Sequence, residues 1–151
     1  MMIYNTGFEA IISGLSAVLL AQLSKLFIFY FKNKEINLEY LSTTGGMPSS
    51  HSAGVCALTT SLGLIAGFDS LFFAVSSGYA LVVMHDAAGV RKKAQDMAKI
   101  LNKIIKDFYK SDLKTKSTQL KELLGHTPTE VFAGLILGVL VSCIIHFLLA
   151  D

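Results

Sequence analysis

The sequence predicts an all-α polytopic membrane helix bundle, with four transmembrane helices and a basic amphipathic helical insertion before the last span. Three observations carry this reading. Hydrophobic residues make up 52% of the 151 residues and charged residues 16%, with a mean hydropathy of +0.56, outside the ordinary range of water-soluble domains. Apolar runs free of Lys and Arg alternate with one basic block: ten of the thirteen cations lie from Arg91 to Lys121, the others being Lys25, Lys32 and Lys34. The first run alone is long enough to cross a hydrocarbon core of about 30 Å. A net charge of +2 spread in this way gives no footing for nucleic acid. The chain therefore reads as one integral membrane domain, residues 1–151.

The first span covers about 8–31 and is interrupted by Glu9, Gln22 and Lys25. No basic residue precedes it and no small-residue cleavage site follows a short apolar core, so it is expected to stay in the protein. Lys25 lies about two turns before Lys32 on one helix face. Snorkelling explains a lone lysine at such a depth, and a functional reading gains weight only with company. A polar stretch then leads into Gly45-Gly46-Met47-Pro48-Ser49-Ser50-His51-Ser52, at the mouth of a second span over about 49–67. Pro48 suits the first turn of a helix, where free N–H groups and the positive end of the dipole favour an anion. Ser49 and Ser50 can donate hydroxyls to phosphate oxygens, and His51 can exchange a proton near neutral pH. The plainer reading is a serine-capped helix with a surface histidine.

The short Phe68-Asp69-Ser70 connection makes an antiparallel hairpin, returning a third span of about 70–84 to the side where His51 began. Residues of about 86–124 then form an extramembrane helical segment. Val90, Ala94, Met97, Leu101, Ile104 and Phe108 recur at spacings of four and three, one apolar stripe on a helix of about 20 residues. Two readings stand: the helix packs on a hairpin partner, Leu113 to Leu124, or it lies on anionic lipid. Gly125-His126-Thr127-Pro128-Thr129-Glu130 opens the last span, about 129–150, with Gly134 and Gly138 at close-packing spacing. Thr127 to Glu130 is a capping box with Pro128 at the first helical position. His126, just before it, has no evident folding role. Cys56 and Cys143 read as packing residues at different depths, too far apart for a disulfide.

Four spans joined this way gather Lys25, Lys32, Ser49 to His51, His85 to Arg91 and His126 to Glu130 at one membrane face. Histidines, cations, hydroxyls and a carboxylate suit phosphoryl transfer through a phosphohistidine. With no His-x-x-x-His or Glu-x-x-His pair to hold zinc or paired metals, the sequence implies neither a metal nor a cofactor.

Gly46-Met47-Pro48-Ser49-Ser50-His51-Ser52 followed by Gly125-His126-Thr127-Pro128-Thr129-Glu130-Val131-Phe132-Ala133-Gly134 resembles the type 2 phosphatidic acid phosphatase superfamily, which also holds acid phosphatases and vanadium haloperoxidases. The whole chain is most similar to its divergent bacterial and plant branch, including Asp86-Ala87-Ala88-Gly89-Val90-Arg91 and Glu122-Leu123-Leu124-Gly125-His126. The resemblance implies that His126 is the nucleophile, that Glu130 orients it and that His51 protonates the leaving group. The superfamily's first motif, a lysine with an arginine-proline seven residues later, finds Lys25, Lys32 and Asn33. The serine-arginine pair expected six to seven residues before the nucleophile finds Gln119 and Leu120. Arg91, the one arginine in the chain, is expected to supply that phosphate contact, with the basic segment inserted between it and His126.

The function expected is a metal-independent lipid phosphate or diphosphate phosphatase, catalysis resting on His126, His51 and Glu130. Lys25, Lys32, Ser49, Ser50 and Arg91 would bind phosphate, and Asp86 is a second candidate to orient His126. The alternative is a noncatalytic membrane protein that binds or transports phospholipids through the same pocket. A haloperoxidase is disfavoured by the spans. The expected partners are the bilayer and a lipid phosphate, with self-association open. All thirteen cations fall on the site's side and none on the other, so the positive-inside rule puts site and basic segment in the cytoplasm and both termini outside.

Overall fold

The structure, a computed structural model, describes residues 3–35, 46–108 and 125–150. Among them the chain is all α-helical: α1 (Gly7–Asn33), α2 (Ser50–Ala66), α3 (Leu71–Ala88), α4 (Val90–Phe108) and α5 (Pro128–Ala150). Gly45, and the Leu113 to Leu124 segment expected to pair with α4, lie outside the described residues.

Each boundary has a local cause. Helix α1 ends where Lys34 turns left-handed (φ 58°) and its N–H donates to the Tyr30 carbonyl. Helix α2 starts one residue later than expected, because Ser49 is its N-cap and accepts from the Ser52 N–H. Pro48 thus lies outside the first turn, a correction to the expected placement. At the far end Gly67, at φ 94°, turns the chain, and the Ser70 hydroxyl caps α3 by accepting from the Phe73 N–H at 3.2 Å. Helix α3 runs four residues beyond its expected end, so His85 and Asp86 are helical. Gly89 separates it from α4.

Three stretches among the described residues are long and apolar enough to cross a membrane: Gly7–Phe31, Leu71–Ile105 and Pro128–Ala150. Helix α2 has only 17 residues, about 25 Å at 1.5 Å per residue. It packs against α1, α3 and α5 together. A helix so enclosed is shielded from its surroundings, and can carry the serines and threonines that lower its hydropathy.

Side chains are arranged inside out relative to a soluble bundle. Phe8, Leu15 and Phe27 of α1, Phe72 and Val82 of α3 and Phe132 and Phe147 of α5 are exposed, whereas the core is Ala17, Ala21, Ala53, Ala57 and Val141. Lipid offers no hydrophobic drive for helices to associate, so close backbone approach and interhelical hydrogen bonds hold them together. A Cβ on Gly134 would collide with the Ser49 carbonyl, and one on Gly138 with the Ala53 carbonyl. Between α2 and α3 the Thr59 hydroxyl donates to the Ser76 carbonyl at 3.2 Å, a contact worth about 0.6 kcal/mol in membranes.

Candidate functional site

The buried face of α1 reads Glu9, Ser13, Ala17, Ala21, Lys25, one residue per turn and every one of them buried. Its two charged ends lie about 24 Å apart and each meets a histidine region. At one end Lys25 is only 4% exposed, and its Nζ makes no hydrogen bond. Gly46, at φ 91°, brings its backbone over the Lys25 stem. An ammonium buried without a donor's partner is costly unless an anion comes to it.

Beside Lys25 stands the start of α5. The Glu130 N–H donates to the Thr127 hydroxyl, and the Glu130 Oε2 accepts the Thr127 N–H at 2.9 Å, so the capping box closes as its four residues predict. The same oxygen lies 3.2 Å from His126 Nδ1. One carboxylate thereby caps the helix and orients the imidazole. The His126 N–H donates to the Ala87 carbonyl at 3.1 Å, tying this loop to the end of α3, and the Ser49 N–H donates to the Glu130 carbonyl at 3.0 Å, tying it to α2.

His126 is 1% exposed, and its Nε2 has no partner at ordinary hydrogen-bond geometry. Burial pushes its pKa below the usual 6.5; the Glu130 hydrogen bond opposes this, the Lys25 charge adds to it, and the Glu130 charge and Gly46 backbone oppose it further. Burial thus favours the neutral imidazole, the form in which histidine is a nucleophile, with Nδ1 facing the Glu130 carboxylate. The His51 ring lies 6.1 Å from the His126 ring, centroid to centroid, with an interplanar angle of 65°.

The structure therefore brings Lys25, Ser49, Ser50, His51, His126 and Glu130 together at one end of the bundle. Ser49 and Ser50 are buried at the start of α2, the Ser49 hydroxyl accepting from that of Ser52 at 3.1 Å. Asp86 precedes the Ala87 that holds the His126 backbone, and the carboxylate at hydrogen-bond distance from Nδ1 is that of Glu130. Lys32 and Arg91 belong to α1 and α4, and their side chains lie outside the described residues. Among the described residues no three His, Cys, Asp or Glu side chains are grouped as a metal would need.

The sequence reading did not single out the pair at the other end. Glu9, fully buried, lies with Oε1 2.6 Å from His146 Nδ1, while its Oε2 accepts the Asn5 N–H at 2.8 Å. The two are 137 positions apart. The available signal was the five-member i, i+4 series on α1, whose two charged residues have to face inward with the alanines.

A family model described as Divergent PAP2 family matches residues 7–141. The chain belongs to the divergent PAP2 family. Over 147 residues it is 41% identical to a protein of Bacillus subtilis (strain 168) named "Uncharacterized membrane protein YuiD", an alignment covering 91% of this chain and 93% of that one. No solved structure matches. With its apolar helices and this relative, the chain is a membrane protein. The capping box, His126 and the serine-histidine start of α2 all lie inside the stretch matched to the divergent PAP2 family.

Proposed function

We propose that this chain is a metal-independent phosphatase of lipid phosphates or diphosphates that works through a phosphohistidine on His126. The observation that carries the reading is the state of that residue: Nδ1 held by Glu130 and Nε2 with no partner at ordinary hydrogen-bond geometry, beside a Lys25 Nζ likewise without one. In an in-line displacement His126 Nε2 attacks phosphorus, the bond from phosphorus to the lipid oxygen breaks, and protonated His51 gives its proton to that oxygen. Water then attacks the phosphohistidine, passing a proton to His51, and inorganic phosphate leaves. Lys25 neutralises the oxygens of the transferring group, with Lys32, Arg91 and the hydroxyls of Ser49 and Ser50 as further contacts. Charge stabilisation and positioning do most of the work in such a reaction.

A lipid as leaving group is supported by a groove of about 370 Å³ between α1, α2 and α3. Ile11, Leu15, Val18 and Leu58 line its apolar length, and Ser50 and His51 stand at its site end. A hydrocarbon tail in this groove would bring its head oxygen to the acid that protonates it. In this reading α2 is the fourth crossing, carried by the three helices around it, and the site faces the cytoplasm.

The deciding experiment is phosphate release from a panel of lipid phosphates by purified protein in the presence of a chelator. The parent should release phosphate and form an acid-labile phosphoprotein, and His126→Ala should do neither. Undiminished release by His126→Ala would refute the phosphohistidine. Binding of the same lipids without any release would instead identify a phospholipid-binding protein.

A further inference from the structure

Beyond Arg91 at its start, helix α4 takes no part in the candidate site. It follows α3 after Gly89, whose N–H donates to the His85 carbonyl at 2.8 Å and whose carbonyl accepts the Lys93 N–H at 3.0 Å. Because the Ala87 carbonyl is bonded to the His126 N–H, α4 begins at the site end of the bundle. Among the described elements it packs against α3 alone.

Its side chains fall on three faces. Gln95 and Ala98, three apart, are buried. Met97, Ile100, Leu101 and Ile104 form an adjoining apolar face and are 45 to 63% exposed. Lys99 and Lys103, with Lys92 two turns before Lys99, lie on the side away from that apolar face, and exposed Lys93 stands at its N-terminal end. Helix α3 differs: its exposed apolar residues, Leu71, Phe72, Val75, Tyr79, Leu81 and Val82, cover about half of the cylinder with no cation among them, as hydrocarbon requires. Six cations against two carboxylates between Val90 and Phe108 keep α4 out of hydrocarbon, yet four large apolar side chains on one face keep it out of bulk water.

We propose that α4 lies along the anionic headgroup layer on the site side of the membrane, its Met97–Leu101–Ile104 face turned into the acyl boundary and its lysines among the lipid phosphates. A strongly amphipathic helix with a lysine-rich polar face takes this position, and the positive charge is complementary to an anionic surface. The occupant of the apolar face is thus the chain's own bilayer, and the packing of α4 is independent of the phosphatase chemistry.

The test uses the full chain with Cys56→Ala and Cys143→Ala, reconstituted into bilayer discs of phosphatidylcholine alone or with phosphatidylglycerol. Met97→Cys and Lys99→Cys are labelled with an environment-sensitive fluorophore, and Leu101→Cys and Lys103→Cys serve as a second pair if either first variant folds poorly. Labels at 97 and 101 should be quenched severalfold more by lipids carrying a nitroxide near the top of the acyl chain than by aqueous iodide, and labels at 99 and 103 the reverse. The contrast should grow with phosphatidylglycerol, and shrink in high salt or with Lys92→Gln. Equal aqueous quenching at all four positions would overturn the proposal. So would disulfide cross-linking of Met97→Cys between two copies, which would make this face a dimer contact, or a contrast indifferent to lipid charge and salt.

Discussion

Replacing Glu130 by glutamine separates the two tasks of its side chain. The amide retains an oxygen that can accept the Thr127 N–H now 2.9 Å from Oε2, so the helix start is kept; the negative charge facing His126 Nδ1 at 3.2 Å is lost. A hydrogen bond to a charged group contributes roughly 1.5–3 kcal/mol. If that contribution is made in full to the imidazolium-like charge that builds on His126 as phosphorus is attacked, kcat falls roughly 10- to 150-fold at 1.36 kcal/mol per decade. Folding should lose only the favourable charge at a helix N-terminus, about 0.3–1 kcal/mol. The pH profile supplies an independent sign. In the proposed reaction the neutral His126 ring is the active form, so activity should be lost as pH falls through its pKa, which burial holds below 6.5. The hydrogen bond and charge of Glu130 both push that pKa up, so Glu130→Gln should move the acid limb of kcat/KM to lower pH even as kcat drops. The assay is phosphate release across pH, with thermal unfolding in detergent as the folding control. Full activity in Glu130→Gln, or an acid limb displaced upward, would refute the assignment of Glu130 as the orienting carboxylate.

Lys25→Met should have the opposite effect on the profile, because the Lys25 charge lowers the His126 pKa: the acid limb rises while phosphate binding weakens by roughly 1–3 kcal/mol, read as inhibition by inorganic phosphate or vanadate. Gly138→Leu places a side chain where a Cβ alone collides with the Ala53 carbonyl and comes within 2.9 Å of the Ala57 nitrogen; separating α2 from α5 should cost about 1–3 kcal/mol or more, seen as a lowered unfolding midpoint. His146→Ala leaves Glu9 buried without its 2.6 Å partner, a loss of roughly 1–3 kcal/mol for an unsatisfied buried group, while the acid limb of the surviving activity stays where it was.

What the sequence revealed and what it concealed follow from the range of the interactions. The Thr127–Glu130 cap was legible to the atom, because four consecutive residues determine it. The convergence of Lys25, the start of α2 and His126 was legible from topology, since short connections leave antiparallel helices few ways to return. The stripe of α4 was legible as a stripe, but its direction depends on what packs at Gln95 and Ala98, which periodicity does not reveal. Pro48 looked like a first-turn residue, yet the Ser49 N–H is engaged by the Glu130 carbonyl from another helix, and the helix starts beyond it. The pair of Glu9 with His146 was hidden for the same reason: only the tertiary fold brings positions so distant together. Helix α2 shows the limit of hydropathy, because its serines and threonines face neighbouring helices and its fitness to cross depends on being enclosed.

The orientation of the bundle remains to be tested, and the fold sharpens the test. The start of α4 is fixed to the site end by the Ala87 carbonyl and His126 N–H. Lys25, Lys34, Lys92, Lys93, Lys99 and Lys103 therefore belong with the site, while Asn5, Glu9, Phe68 and Asp69 belong with the opposite end, which carries no Lys or Arg in the sequence. A difference so one-sided over short connections is the condition under which positive charge governs topology, and the proposed orientation, with the site end in the cytoplasm, rests on it. A substrate would then come from the inner leaflet, and inorganic phosphate would be released into the cell. Ser70 is a poor outer probe, since its hydroxyl caps α3 and losing such a cap costs about 1 kcal/mol. Exposed Asp69 is better. In a background of Cys56→Ala and Cys143→Ala, an impermeant thiol reagent should label Asp69→Cys on intact cells and Lys99→Cys only after permeabilisation. Labelling of Lys99→Cys on intact cells, with Asp69→Cys protected until the membrane is opened, would reverse the orientation and put the phosphate chemistry on the outer face.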